Sequence, residues 1–503
     1  MRLIDLVATS ERDAATSSRS GKQALLADAL RTLSIEELPA GVALLSGKVR
    51  QRQTGVGWAA LREMPRPAAT PTLELCEVDA TLERMQTMAG AGSAAARAGE
   101  VRQLFARATT SEQHFLAAVL AYGLRQGASR GVLVGALAQA AGVGMTALRR
   151  ALMLDGDLGS VARVALCEGE PGLGLVALRV GRPVEPMLAS PAPDLATALE
   201  RAGDAVVEAK LDGVRVQVHR CDDGAVRVFT RTLDEITARV PEVHEAVGSL
   251  PVLTAILDGE LIALQPDGRP QPFQVTAARF GTRSPAELER RSTPLAVRFF
   301  DVLHIDGVDL LDLPARERFA RLDQLVPAQL RVDRSGGGSA SDFEARTLAS
   351  GHEGVVVKSL AAPYAAGRRG VGWLKVKPRH TLDLVILAAE WGHGRRVGKL
   401  SNLHLGARGA DGGFVMLGKT FKGMTDEMLV WQTETLLGLE ERRTRGTVFV
   451  RPELVVEIAF DGLQSSSRYP GGVTLRFARV LRHRPDKRAV EADTLAAVLG
   501  HRE

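Results

Sequence analysis

The sequence predicts a multidomain α+β chain with an all-α N-terminal domain, a mixed α/β middle domain and a small C-terminal barrel. Three observations predict it. Apolar residues recur at helical spacing up to about residue 180. From Arg179 to about residue 380, short β-rich runs alternate with short capped helices. Beyond that the strand pattern continues, interrupted by one helix. The length of 503 residues agrees, since roughly 100–200 residues per domain implies about three domains. We place the boundaries at 1–180, 181–380 and 381–503. Hydrophobic residues make up 45% and charged residues 24%, an ordinary globular balance. The net charge of +5 permits a polyanionic partner without demanding one.

In the first domain, Leu25, Leu26, Ala29, Leu30 and Leu33 mark one face of a helix. Ser34 and Glu37 have capping-box spacing and open the next helix. MAGAGSAAARAGE (88–100) reads as a small-residue linker. The apolar stretch 131–148 holds four glycines, with Arg130, Arg149 and Arg150 at its flanks. It reads as two packed helices broken near Gly142 rather than a membrane span. RVGRPVEPML (179–188) is an extended entry to the middle domain. There Val206–Glu208, Val214–His219 and Val226–Phe229 read as strands of one meander. Ser284-Pro285-Ala286-Glu287 and Ser341-Asp342-Phe343-Glu344 open helices, Gly351 ends the second, and SGGGSAS (335–341) is a flexible loop. The last domain reads LDLVILAAEW, GGFVMLGKTF and GTVFVRPELVVEIAF, with a helix at Thr425–Leu437. Several short strands and one helix suit an OB-fold.

Composition excludes several functions. Cys76, Cys167 and Cys221 are scattered, so neither a disulfide scaffold nor a four-cysteine zinc site is available. MRLIDLVATSERD lacks the apolar run of a secretory leader, and a soluble cytoplasmic protein, associated with the nucleoid, is expected.

The chemistry concentrates in the middle domain. In EAKLDGVR (208–215), strand alternation puts Glu208, Lys210 and Asp212 on one face, and Gly213 lets the chain turn. A lysine between carboxylates is either a solvated ion-pair face or a nucleophile, and K-x-D-G alone is a weak signal. Its company is stronger. FTRTLDEIT carries Arg231, ILDGEL carries Asp258 and Glu260, FFDVLHIDG carries Phe300 and Asp301, and EGVVVKS carries Glu353 and Lys358. WLKVKP places Lys375 and Lys377 on one face, where they repel unless an anion lies between them. Glu260 and Glu353 could hold a hard cation such as Mg²⁺.

Together and in this order, these motifs resemble the covalent lysine nucleotidyltransferases, and among them the ATP-dependent DNA ligases. A further segment, LRFARVLRHRPDK, closes the likeness at 475–487. The resemblance implies an adenylation domain at 181–380, ATP and Mg²⁺ as cofactors, and nicked duplex DNA as partner of a monomer. It implies Lys210 as the nucleophile that carries AMP and Glu208 as the reader of the adenine amino group. Arg215 would contact the nucleotide or nick phosphate, Arg231 and Glu260 the ribose and metal side, and Phe300 would stack on adenine. Glu353 would be a metal-site carboxylate. Lys375 and Lys377 would grip the α-phosphate with Arg369 beside them, and Arg476, Arg479 and Lys487 would orient pyrophosphate. The sequence departs from the family at Ala478, where proline is frequent. Strict alternation would also put Glu353 and Lys358 on opposite faces, so Glu353 must sit on the turn at Gly354.

Three scattered cysteines cannot supply the zinc module typical of NAD-dependent ligases, which favours ATP. RNA ligases and capping enzymes share the lysine motif, and a non-catalytic DNA-binding scaffold is a further alternative. The long helical region favours DNA, with Arg125 and Arg130 as candidate backbone contacts there, and Arg395, Arg396, Lys399, Lys419 and Lys422 on the barrel. Residues 413–420 satisfy G-x-x-x-x-G-K-[ST], but FVML in the middle wants to be a strand and no helix follows directly, so the match is not a P-loop.

Overall fold

The computed structural model describes residues 1–503 apart from 52, 53, 63, 91, 122, 123, 125–128, 282–285, 337, 366–368, 379, 502 and 503, with backbone alone for 58, 59, 287 and 369. Up to Gly174, all described secondary structure is helical, and Leu26, Leu30, Leu82, Phe105, Leu116 and Leu148 lie in a single core. Arg130–Ala141 and Met145–Asp155 meet at 119°, and Gly142, at φ 66°, ends the first of them. Their apolar residues Leu133, Leu137, Leu148 and Ala151 are buried in that core. No single helix among the described residues is long and apolar enough to cross a membrane.

Two expectations need correction here. The expected linker at 88–100 is largely helix, Ser93–Arg107, which buries Val101, Leu104 and Phe105. Alanine-rich sequence is the best helix former, so small residues misled the reading. The Glu37 carboxylate does accept the Ser34 N–H at 2.8 Å, but the helix itself begins at Leu38.

The middle of the chain builds two sheets. One is ordered β1 (Leu188–Pro191), β9 (Arg369–Val376), β8 (Gly354–Ser359), β2 (Ala205–Lys210). The other is ordered β4 (Val226–Thr230), β3 (Val214–Arg220), β5 (Ala255–Ala263), β6 (Leu295–Ile305), β7 (Val308–Asp309). The expected single meander is therefore split, because β2 leaves the sheet of β3 and β4 to pair with β8. The crossing occurs at Gly213. A Cβ there would lie 2.1 Å from the Leu261 carbonyl oxygen, so only glycine lets the chain pass.

Residues 332–335 close the seam between the sheets. Val332 N–H donates to Phe299 O on β6 at 2.9 Å, while Ala209 N–H donates to Asp333 O at 2.9 Å and Ser335 N–H to Val207 O at 2.7 Å. The expected flexible loop thus begins in a backbone ladder along the free edge of β2. Its Ser339 side chain, rather than Ser341, caps the helix Ala340–Ala349. The Ser284-Pro285 cap lies outside the described residues, although a helix does follow at Ala286–Ser292.

The C-terminal part is rich in strands. β10 (His380–Trp391) pairs with β11 (Leu400–Arg408), β14 (Thr447–Val450) and β15 (Val455–Phe460). β12 (Phe414–Thr420) adds to β11, β13 (Glu440–Arg443) to β14, and β18 (Arg479–His483) to β15, while β16 (Gly462–Ser465) and β17 (Val473–Arg476) form a hairpin. One helix, Asp426–Gly438, is inserted and is capped by Thr425. The P-loop-like match is strand β12.

Candidate active site

Lys210 is the last residue of β2, paired across to Gly354 on β8. Gly354 has φ 146°, and a Cβ on it would lie 2.2 Å from the Val376 carbonyl oxygen. That close approach brings Glu353, which precedes the strand proper, against the end of β2, where its N–H donates to Lys210 O at 3.1 Å. The Glu353 carboxylate forms ion pairs with both Lys210 and Lys377. Lys377 also lies 3.6 Å from Asp461 of the C-terminal part. Glu260, on β5, accepts the Gly213 N–H at 2.9 Å, which fixes its carboxylate at the turn after Lys210.

These groups set one another's protonation. Burial pushes the Lys210 ammonium down, but Glu353, Glu260 and Asp212 outweigh it and hold it above its ordinary value. Burial pushes Glu353 up, but Lys210 and Lys377 bring it below the usual carboxylate range. At Glu260 burial wins, with Glu353 adding to the rise, despite the pull of Lys210 and Arg215.

A second group lies along the same strand. Glu208 is buried and carries ion pairs on both oxygens, to Arg334 at 2.9 Å and Lys358 at 2.5 Å. Lys358 Nζ lies 4.4 Å from the ring centroids of both Phe300 and Trp373 and donates to Phe300 O at 3.2 Å. Phe300 meets Trp373 edge to face, with centroids 5.8 Å apart. Burial drives the Lys358 ammonium down, against the pull of Glu208 and Asp301. Sequence reading missed Arg334 altogether and gave Lys358 no role. β2–β8 register offers the missing signal for Lys358: Glu208 opposes Val356 and Lys358 opposes Val206, so both side chains share one face.

The remaining candidates scatter more. Arg215 is committed to Asp258 by a fork at 3.0 and 2.6 Å, with Tyr364 Oη at 3.2 Å and the Met187 carbonyl completing its shell. Arg231 is exposed just past β4, and Lys375 is half-buried on β9, two residues before Lys377. Arg369 opens β9, but its side chain lies outside the described residues. Arg476 reaches across to Asp212 at 2.7 Å, and Arg479 meets Asp461 at 3.2 Å. Lys487 instead pairs with Asp383 of β10 at 2.5 Å, so the structure does not bring it to Lys210.

Among the expected DNA contacts, Arg125 falls outside the described residues. Arg130 pairs with Glu185, and Lys419 with Glu390. Arg395 and Lys422 are exposed and Lys399 is half-buried.

A half-buried lysine ringed by carboxylates, two further lysines and a half-buried aromatic ring can bind a nucleoside polyphosphate and attack it. Comparison with known proteins points the same way. The family described as "ATP dependent DNA ligase domain" matches residues 186–377, and the "ATP dependent DNA ligase C terminal region" matches 396–487. A "Probable DNA ligase" of Mycolicibacterium gilvum (strain PYR-GCK) is 56% identical over 505 residues, covering 99% of this chain and 98% of that one. A "Probable DNA ligase" of Mycobacterium marinum (strain ATCC BAA-535 / M) is 55% identical over 510 residues, covering 99% of each. The solved structure Pmar-Lig_PreS3 superposes with a TM-score of 0.60 at 16% identity, over 95% of this chain and 99% of that one, a likeness of fold.

Proposed function

This chain belongs to the ATP-dependent DNA ligases, and from that premise we propose that it seals 3′-OH/5′-phosphate nicks in duplex DNA with Lys210 as its nucleophile. The observation that carries the assignment is Lys210 at the end of β2, half-buried and paired to Glu353 beside Glu260 and Lys377.

The Lys210 amine, once it has lost a proton, attacks the α-phosphorus of ATP. A P–N bond forms, the P–O bond to pyrophosphate breaks, and AMP stays on the lysine. An oxygen of the DNA 5′-phosphate then takes the AMP and returns the electron pair to Lys210. The 3′-hydroxyl attacks the activated 5′-phosphorus, and AMP leaves. Each step is phosphoryl transfer, governed by positioning and charge neutralisation.

Without nucleotide, Glu353 and Glu260 keep Lys210 protonated. Burial holds the Glu260 carboxyl above its ordinary range, and the charge of Glu353 adds to that rise. That donor set fits Mg²⁺, which takes one or two carboxylates completed by substrate phosphates. No group of three or more His, Cys, Asp or Glu that could hold a metal occurs among the described residues, so the phosphates would have to complete the shell. Glu260 and Glu353 would hold the ion, which would supply positive charge against the phosphate oxygens. Lys377 and Lys375 would receive the α-phosphate, with Arg369 beside them and Arg231 on the ribose side. Phe300 would stack on the base and Glu208 would accept its amino group. Arg215, locked on Asp258, would hold the strand that follows the nucleophile. Arg476 and Arg479 lie within one contact of the site, whereas Lys487 requires the C-terminal domain to turn before it can orient pyrophosphate. Arg125, Arg130, Arg395, Lys399, Lys419 and Lys422 remain candidates for the DNA backbone, the two paired ones by exchanging a carboxylate for phosphate.

Covalent labelling tests the proposal. Protein stripped of AMP with pyrophosphate is incubated with Mg²⁺ and α-labelled ATP, GTP or NAD, then run on denaturing gels beside Lys210→Ala. Label from ATP alone, absent in the variant, is the expected result. Absence of label from every nucleotide would overturn the mechanism.

A further inference from the structure

Arg334 lies outside every motif that identifies the family, yet it forms one of the two ion pairs on Glu208. Its Nε donates to Glu208 Oε1 at 2.9 Å, and its Nη1 lies 3.3 Å from both oxygens of Asp323. The guanidinium carbon sits 4.2 Å from the centroid of the Phe319 ring. Phe319 and Asp323 belong to the helix Ala315–Leu325, so one helix face supplies both a charge and a stacking surface. The backbone ladder at 332–335 fixes where the side chain starts, since Arg334 forms an isolated bridge with Glu208 itself. Nη2 is buried with no hydrogen-bond partner. The side chain is held where it meets the Glu208 carboxylate.

We propose that Arg334 is a positioning residue for base selection: it holds Glu208 oriented so that the carboxylate accepts from a purine 6-amino group. The inference rests on the assignment of Glu208 to the base. Arg334 takes one oxygen and Lys358 the other. A carboxylate has about four lone-pair sites, so each oxygen keeps acceptor capacity. A base edge that presents an amino donor gains a bond, and one that presents nothing gains none. Without Arg334 the carboxylate follows Lys358 alone. Lys358 is also bonded to Phe300 O and packed on two rings, so it pulls Glu208 towards Phe300 and Trp373.

The test compares ATP with purine riboside triphosphate, which lacks the 6-amino group, by the kcat/KM of lysine–nucleotide formation in the full-length protein. The wild type prefers ATP by roughly ten- to a hundredfold, the scale of one hydrogen bond to a charged acceptor. Arg334→Gln lowers that preference about tenfold by slowing ATP and leaving the analogue unchanged. Arg334→Lys, which keeps the charge without the fork, falls between. Asp323→Asn, which loosens the far anchor of Arg334 along with its ion pair to Arg331, shifts the ratio in the same direction and serves if Arg334→Gln fails to fold. Equal slowing with both nucleotides in Arg334→Gln and Asp323→Asn would overturn the proposal, while Glu208→Gln decides the assignment beneath it. Loss of preference in Glu208→Gln with an unchanged ratio in the Arg334 and Asp323 variants refutes the role of Arg334 alone. An unchanged ratio in Glu208→Gln refutes the base contact itself.

Discussion

Asp301, the residue after the ring expected to stack on adenine, offers a sharp test of how the site is held. Its carboxylate and the Arg318 guanidinium are both fully buried and face each other as a fork, Nε to Oδ1 at 2.8 Å and Nη2 to Oδ2 at 2.9 Å. Arg318 Nη1 donates further to Leu313 O at 2.6 Å and Ala362 O at 3.1 Å. In Asp301→Asn the amide turns an NH₂ towards one guanidinium nitrogen and leaves a cation buried without its counter-ion. Removing one partner of such a pair costs about 3–5 kcal/mol. For a cooperative unit of this size, that lowers the melting temperature by roughly 10 °C. The assay is thermal unfolding of the wild type, Asp301→Asn, Arg318→Met and the double variant Asp301→Leu/Arg318→Met. The double variant should recover most of the loss, because a buried ion pair replaced whole by apolar side chains is often neutral. The effect should also reach Arg215. The Arg318 guanidinium lies 5.9 Å from the Tyr364 ring centroid, and Tyr364 Oη donates to Asp258 at 2.6 Å. A loss under about 1 kcal/mol in Asp301→Asn, or a double variant as unstable as the two single losses combined, would refute the reasoning.

Three further outcomes follow from the same structure. Because Lys210 is held protonated above its ordinary value, kcat/KM for lysine–AMP formation should climb about tenfold per pH unit between about pH 6 and 8; a flat profile across that range would show that the amine is not the group that must lose a proton. Glu390 is drawn down to about 2, where burial is outweighed by hydrogen bonds from Lys419, His404 and Asn402. Its folded value lies below its ordinary one, so its stabilisation is complete above about pH 4.5 and is lost as pH falls towards 2. Glu390→Gln should therefore be less stable than wild type at neutral pH, with the gap closing in acid denaturation curves by pH 2. Finally, Lys487→Ala should slow lysine–AMP formation by roughly a hundredfold while sparing the sealing of pre-adenylylated nicks, and equal loss in both assays would count against a C-terminal domain that turns between the steps.

What the sequence makes legible is what lies within a few residues. Strand alternation places Glu208 and Lys210 on one face, and β2 carries both. The requirement that Glu353 leave the strand at Gly354 is met, because the chain approaches Val376 too closely for any Cβ. The helix Asp426–Gly438 and strand β12 follow from caps and β-rich runs. Where local pattern is ambiguous, reading fails. Residues 88–100 are small and polar enough for a linker, and only Val101, Leu104 and Phe105 just beyond them reveal that the helix Ser93–Arg107 buries one face.

The rest is hidden for a topological reason. Arg334 is 126 residues from Glu208, and Tyr364 is 106 residues from Asp258. Neither separation leaves a mark in any window of sequence. Arg334 is selected by sheet order: β2 is an edge strand, and its free edge needs donors and acceptors that the chain must bring from elsewhere. Residues 332–335 satisfy it, although glycine and serine follow at once and no alternation announces a strand. Once that backbone is fixed, the side chain at 334 has little choice but to face Glu208. The motifs therefore locate the reacting groups, while partners that orient them, Arg334 on Glu208 and Tyr364 on Asp258, come from distant parts of the chain. Arg334 and Tyr364 are where substitutions should alter selectivity and stability without touching any residue of the motifs.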